Sequence, residues 1–312
     1  MTDAAIDIQD LRKTYRDRKT GEEKTALHGV NLTIPRGAFF GLLGPNGAGK
    51  STLINILAGT VLKSSGTARI CGHDLDTEVR AAKRAIGIVP QELVLDTFFT
   101  VRQALEITAG YYGIPQRDRR TDEIIRAMGL ADKADQPSRR LSGGMRRRLL
   151  IGKALVHTPS VLVLDEPTAG VDVELRRHLW EYVRQLNAAG TTILLTTHYL
   201  EEAEELCDEI AIIHQGRIVK RDRKDALMRG VDSKEVTFTL AAPLTDLPPA
   251  LAELQACLRD GKLVVKYQPS KAAMSDILGR IATAGLIIAD LATQEVELED
   301  LFLELTSGKA AA

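Results

Sequence analysis

The chain has 312 residues, 44% hydrophobic and 27% charged, with 41 Lys and Arg against 42 Asp and Glu. This ordinary globular usage excludes a disordered tract, a collagen-like repeat and a coiled-coil rod, and a net charge of -1 excludes a global basic field for nucleic acid or an anionic membrane surface. The length predicts one large domain or two unequal ones.

The N-terminal MTDAAIDIQD carries acids where a secretory signal would carry Lys or Arg. The longest apolar runs, such as 161–164 and 193–195, fall far short of the roughly 20 residues that span a bilayer. A cytoplasmic chain is expected, with any membrane attachment made through a protein partner. Cys71, Cys207 and Cys257 form no C-x-x-C pair, which fits a reducing cytosol and gives no zinc signal. They read as small buried hydrophobes.

In chain order, Ile6, Ile8 and Leu11 and then Val30, Leu32 and Ile34 alternate with polar residues, as in a half-exposed antiparallel sheet. RDRKTGEEKT between them is a charged hairpin or loop. The apolar run 38–43 predicts a buried strand that feeds a Gly-rich turn and a helix from Lys50. Helical periodicity holds from about 93 to 157, over 101–112 and 121–128, broken by Gly113-Ile114-Pro115 and Gly129. Strand-like runs return at 160–164, 192–196 and 210–214 with amphipathic helices between them, as in a parallel sheet with crossover helices. Residues 225–233 turn polar. Beyond them, strands over 236–240, 263–267 and 287–291 and helices over 270–284 and 298–305 predict a small α+β domain.

Gly44-Pro45-Asn46-Gly47-Ala48-Gly49-Lys50-Ser51, followed by Thr52, fits G-x-x-x-x-G-K-[ST], a loop whose N–H groups wrap nucleotide phosphates. Lys50 supplies a point charge to the β and γ phosphates, the helix N-terminus adds its dipole, and the Ser51 hydroxyl can ligand Mg²⁺. The apolar run 161–164 ends in Asp165 and Glu166, at the strand end where open α/β sheets bind ligands. Both acids are expected to face the nucleotide, Asp165 holding Mg²⁺ through its water shell and Glu166 polarising the attacking water. Leu141-Ser142-Gly143-Gly144-Met145, at a helix start, is a second potential anion site. Arg146, Arg147 and Arg148 after it read as a solvated face with ion pairs.

The ordered set GPNGAGKST, Gln91 within IVPQE, LSGGM, VLVLDEP, AGVD and TTH strongly resembles the ATP-binding-cassette (ABC) ATPase family over about residues 4 to 225. The resemblance implies an α/β P-loop NTPase cassette, with a mixed parallel and antiparallel sheet core and a helical subdomain at about 92–158. This cassette would fill 1–228, and the accessory α+β domain 232–312. It further implies ATP and Mg²⁺ as ligands, a head-to-tail dimer with a second copy, and Ser142, Gly143 and Gly144 on the γ-phosphate of the partner's nucleotide. Met145 stands where the family commonly has glutamine, which leaves the backbone role intact and puts any side-chain role in doubt. By the same resemblance Gln91 contacts Mg²⁺ or the lytic water, and His198 braces the γ-phosphate and Glu166. Tyr15 is either the aromatic that stacks on adenine or an ordinary strand-end tyrosine. Asp172 falls among inter-subunit contacts or is a plain helix cap.

Leu93, Val94, Leu95, Phe98 and Phe99 stand where the family receives its membrane partner; as residues alone they read equally as core or as an exposed docking patch. THYLEEAEELCDEIAIIHQGRIV and the added C-terminal domain look like the ATPases of ABC-2-type exporters. The function so implied is ATP hydrolysis that powers a separate membrane permease, with the chain peripheral on the cytoplasmic face of the membrane and no nucleic-acid partner. The rival is a soluble ABC ATPase acting on ribosomes or DNA. Such proteins usually carry paired cassettes, long coiled coils or zinc modules, and this sequence carries none of them.

Overall fold

A computed structural model describes residues 4–294 apart from 18, 19, 169–172, 198, 231–233, 243, 245, 246, 249, 250, 252, 253, 260, 268 and 270. His198, Asp172 and the helix expected at 298–305 therefore lie outside the described residues. The chain divides into two compact units, Met1–Lys224 and Asp225–Ala312.

In the first unit, alternation sets the outer layer. β1 (Ala4–Arg16) and β2 (Glu23–Pro35) pair antiparallel, with Ile6 opposite Ile34 and Ile8 opposite Leu32. All four side chains are buried, each worth about 1.5–3 kcal/mol of transfer from water. β3 (Phe39–Leu43) is buried at every position, the pattern of a strand covered on both faces. It runs through the glycine loop into α1 (Lys50–Leu57). β4 (Ser65–Ile70) and β5 (His73–Asp74) extend the first sheet to the order β2-β1-β4-β5. α2 (Val79–Ala85) then leads into β6 (Ile86–Val89).

The helical segment follows. α3 (Val101–Tyr111) opens on a capping box of Thr100 and Gln103, α4 (Thr121–Ala127) carries Asp122 and Glu123 in its first turn, and α5 (Gly143–Leu155) starts from Ser142. β7 (Val161–Asp165), α6 (Val173–Ala188), β8 (Thr192–Thr197), α7 (Leu200–Leu206), β9 (Glu209–His214) and β10 (Arg217–Arg223) complete the second sheet, ordered β10-β9-β3-β8-β7-β6. Its strands run parallel except β10, an antiparallel edge. Leu43 lies opposite Thr197 and Asp165 opposite Thr196, so β3, β7 and β8 end at one edge of the sheet. Ligands bind at that carboxyl edge of open α/β sheets.

In the second unit, α8 (Lys224–Gly230) falls where the sequence turns polar, and β11 (Lys234–Leu240), β12 (Gln255–Arg259), β13 (Lys262–Tyr267), α9 (Met274–Thr283) and β14 (Ile288–Gln294) follow. The antiparallel order is β12-β13-β11-β14. Val236, Phe238, Leu263 and Val265 form one core with Ile277 and Ile281 of α9. β12 has no counterpart among the strands expected from sequence, because QACLR lacks a clean alternation. Of the cysteines, Cys207 is buried and Cys71 half-buried, but Cys257 is exposed. The expectation that all three are buried is thus wrong for Cys257, which sits on the edge strand β12.

Candidate functional site

Two glycines let the loop after β3 turn where no other residue fits. A Cβ on Gly44 would lie 2.4 Å from the Ile213 carbonyl oxygen, and Gly49, the N-cap of α1, has φ 111° and would carry a Cβ 2.9 Å from the Ala26 carbonyl oxygen. Steric exclusion at the first and left-handed backbone at the second fix the loop's path. Lys50, on the first turn of α1, folds back over that loop. Its Nζ donates to the Gly44 carbonyl at 2.6 Å and the Pro45 carbonyl at 3.3 Å and lies 3.9 Å from Glu166 Oε1. Burial pushes the Lys50 ammonium below its usual pKa, and the charges of Glu166 and Asp165 push the other way.

Asp165 ends β7 and Glu166 follows it, both buried. The Thr196 hydroxyl donates to Asp165 Oδ1 at 2.6 Å. Burial raises the Asp165 carboxyl above its usual range, helped by the charge of Glu166 and opposed by the Thr196 bond and by Lys50 and Arg147. Glu166 has φ 45°, a conformation that costs a non-glycine residue of order 1–3 kcal/mol. Its N–H donates to the Thr196 carbonyl at 3.0 Å, which holds the strained turn, and its Oε2 accepts from Gln91 Nε2 at 2.9 Å. Residues 75 positions apart in sequence thus meet through a side-chain bond.

These groups share a cleft of 440 Å³ lined by Tyr15, Pro45, Asn46, Gly47, Gly49, Lys50, Ser51, Thr52, Gln91 and Glu166 of the expected set. Gly44, Ala48 and Asp165 are not among its lining residues, and Asp165 is held by the Thr196 hydroxyl. Lys24, His28 and Gln215 also line the cleft. They carry no motif, and only the pairing of β2 with β1 brings Lys24 opposite Tyr15. Tyr15 is 39% exposed, with Lys13 Nζ 4.7 Å from its ring centroid.

Ser142, Gly143 and Gly144 do not reach this cleft. They form the start of α5, where Ser142 Oγ accepts the Met145 N–H at 3.3 Å, and Ser142 and Gly143 are exposed. A Cβ on Gly143 would meet nothing within 4 Å.

The three arginines that follow are not a solvated face with ion pairs. Arg146 donates to the carbonyls of Ser138 and Arg139, Arg148 to that of Met128, and Arg147 to those of Pro90 and Gln91. Arg147 is the functional candidate that sequence reasoning missed. The available signal was its place on the apolar stripe 147, 150, 151 and 154 of α5, where Leu150, Ile151 and Ala154 are buried with it.

The cluster after Gln91 is exposed rather than core. Val94 is 67% and Phe98 77% exposed, and Leu93 and Phe99 are also open to solvent. A hollow of 1090 Å³ begins there and runs to Tyr111 between α2, α3 and α5, with Arg80, Lys83, Arg84 and Lys153 on its walls.

Comparison with known proteins agrees with this geometry. The ABC transporter family matches residues 27–169. The Nod factor export ATP-binding protein I of Ralstonia nicotianae is 39% identical over 96% of this chain and 93% of its own length. The linearmycin resistance ATP-binding protein LnrL of Bacillus subtilis is 35% identical over 96% of this chain and 98% of its own. Among solved structures, an ATP-binding subunit of an ABC transporter superposes with a TM-score of 0.65 at 28% identity, covering 72% of this chain and 92% of that one. A dimeric ATP-binding cassette in a post-hydrolysis state, bound to ADP and Pi, superposes at 0.64 and 26% identity over 70% of this chain and 98% of that one. By its motifs, its fold and its similarity along nearly the whole length of the export and resistance proteins, the chain belongs to the ABC transporter family as an ATP-binding, ATP-hydrolysing subunit.

Proposed function

We propose that this chain hydrolyses ATP as one half of a head-to-tail dimer and passes the resulting closure to a separate membrane permease that exports a substrate. One observation carries the reading: Lys50, Gln91 and Glu166 converge in a single cleft, while Ser142–Gly144, the second expected anion site, lie outside it with Ser142 and Gly143 exposed. A second copy is what would bring the two together. The export and resistance functions in the names of the relatives, and the dimeric state of a structural neighbour, support the same assembly and favour it over action on ribosomes.

The residues at the cleft suit Mg²⁺. Mg²⁺ takes hard oxygen ligands, shares its coordination with phosphate oxygens and keeps several waters, so it needs few protein donors. Ser51, Asp165 and Gln91 offer hard oxygen donors, and the buried Asp165 carboxylate, whose charge burial disfavours, gains from a neighbouring cation. When bound, Mg²⁺ neutralises charge on the phosphates.

The chain's own residues do the rest. The loop N–H groups and Lys50 hold the β and γ phosphates, and Tyr15 offers its free face to adenine. Glu166 accepts a hydrogen bond from the water that attacks the γ-phosphorus and takes its proton as ADP departs. Gln91 holds the Glu166 carboxylate in place, and His198, by the family resemblance, would brace the γ-phosphate. Ser142–Gly144 of the second copy would supply N–H donors and a helix dipole on the far side of the γ-phosphate.

No helix of the described residues is long and apolar enough to cross a membrane. Attachment at the cytoplasmic face would run through the permease, docked on Val94, Phe98 and the adjoining hollow, an apolar patch of the kind that marks a partner site.

Lys50→Ala tests the enzymatic half: phosphate release should fall by at least about 100-fold, with the fold intact by circular dichroism. Unchanged phosphate release would overturn the assignment. For the transport half, the tagged chain extracted in mild detergent should copurify with a polytopic membrane protein, and Phe98→Asp should release it. Copurification with ribosomes instead would favour the rival.

A further inference from the structure

Arg147 is a buried cation that the hydrolytic chemistry leaves unexplained. It is 5% exposed. Nη1 donates to the Pro90 carbonyl at 2.7 Å and Nη2 to the Gln91 carbonyl at 2.8 Å, so the planar guanidinium spans two consecutive peptide groups. Burying a guanidinium whose hydrogen-bond partners are two carbonyls is unfavourable, a penalty that the charge of Asp165 offsets only in part, and an apolar residue of similar volume often serves a core as well or better. A charge kept there, on the stripe that Leu150, Ile151 and Ala154 bury, calls for a role beyond packing.

What it joins supplies that role. At its far end α5 carries Ser142 as N-cap, five residues or about 7.5 Å of helix rise from Arg147. At the near end Arg147 holds the main chain of Gln91, whose Nε2 donates to Glu166 Oε2 at 2.9 Å. A helix, a two-pronged clamp on the main chain and the Gln91 side chain, fixed at its tip by the bond to Glu166, thus run from Ser142–Gly144 to Glu166.

We propose that Arg147 is a positioning residue that ties Gln91 to the helix bearing Ser142–Gly144, so that engagement of that helix with one nucleotide sets Gln91 and Glu166 over the other. The inference rests on the dimeric ATPase reading above. It gives each chain a mechanical connection between the two sites it serves: displacement of α5 on closure pulls on the Pro90 and Gln91 carbonyls and, through the Gln91 amide, on the base. A lysine at 147 can reach one carbonyl as a point charge but cannot fork across both, and a methionine fills the volume with no donor.

The test is ATP hydrolysis by the purified chain against ATP concentration, with nucleotide affinity measured separately, for Arg147→Met and Arg147→Lys. Arg147→Met should lower kcat roughly 10- to 100-fold, and Arg147→Lys should fall between it and the parent. Affinity for a fluorescent ATP analogue should stay within about twofold, and the Hill coefficient for ATP should drop from near the number of coupled sites towards 1. In a Gln91→Ala background Arg147→Met should have little further effect, because residues acting as a unit are non-additive. If Arg147→Met does not fold, Arg147→Lys carries the same comparison. Unchanged kcat and Hill coefficient beside an active parent would overturn the role of Arg147 alone, as would a loss of kcat matched by equal losses of affinity and thermal midpoint. An inactive parent would instead sink the ATPase reading.

Discussion

Glu166→Gln should lower the turnover of ATP by about 10²–10⁴-fold, the range for loss of a general base, while nucleotide affinity stays at or above that of the parent. The substitution keeps size and backbone, so the turn at φ 45° and the N–H bond to the Thr196 carbonyl are retained. The amide oxygen can still accept from Gln91 Nε2. What disappears is the group that takes a proton from water, together with one negative charge 3.9 Å from the Lys50 ammonium. A phosphate then meets no competing carboxylate at Lys50 and takes over from Glu166 in holding the ammonium charged, and the raised pKa of Asp165 relaxes, since Glu166 is one of its causes. Binding without hydrolysis should therefore trap a closed dimer, visible as an ATP-dependent doubling of mass by light scattering that ADP does not produce. Full turnover would remove Glu166 from the role of base and leave Asp165, hydrogen-bonded to Thr196, as the other carboxylate at the site.

The parts of the site that could be read from sequence are those where covalent neighbours share one job. The glycine loop, Lys50 and Ser51 form a continuous stretch, because a phosphate cradle needs consecutive N–H groups and a helix start. Asp165 and Glu166 could be read because an apolar run aims them at one sheet edge. The meeting of Gln91 with Glu166 depends on β6 lying beside β7, and neither strand carries the other's address. His28 and Gln215 line the cleft for the same kind of reason: the His28 N–H donates to the Gly216 carbonyl, a pairing between distant segments. Arg147 is hidden from a local reading because charge predicts exposure and three arginines in a row look like solvent; the stripe 147, 150, 151 and 154 is apolar, but so is 148, 151, 152 and 155, and it is the tertiary contact with Pro90 and Gln91 that sets Arg147 apart. The segment 93–99 was undecidable for a related reason, since an apolar run reads the same whether it fills a core or awaits a partner. Its exposure follows from the path of the chain between β6 and α3, which no local pattern encodes.

Gly143→Asp separates the folding of this chain from its assembly. Gly143 is the first residue of α5, and an added Cβ meets no atom within 4 Å, so the chain itself has room for the side chain. An acid in the first turn of a helix gains about 0.3–1 kcal/mol from the helix dipole, and the exchange of glycine for aspartate adds roughly 0.3 kcal/mol of helix propensity, since Asp ranks only just above Gly. The thermal midpoint without nucleotide should therefore stay level or rise. ATP should still bind, since Gly143 is not part of the cleft. Yet if Ser142–Gly144 close on the γ-phosphate of a second copy, a carboxylate now stands where an anion must approach, and hydrolysis should fall by at least about 100-fold. Mixing then tells which chain supplies which part. A Gly143→Asp chain has an intact cleft and a Lys50→Ala chain an intact helix start, so a mixed dimer contains one site built wholly from sound halves. Combining the two inactive proteins should restore part of the hydrolysis that neither shows alone. Wild-type turnover by Gly143→Asp itself would mean that no phosphate ever comes near this helix, and the cleft of a single chain would have to be sufficient.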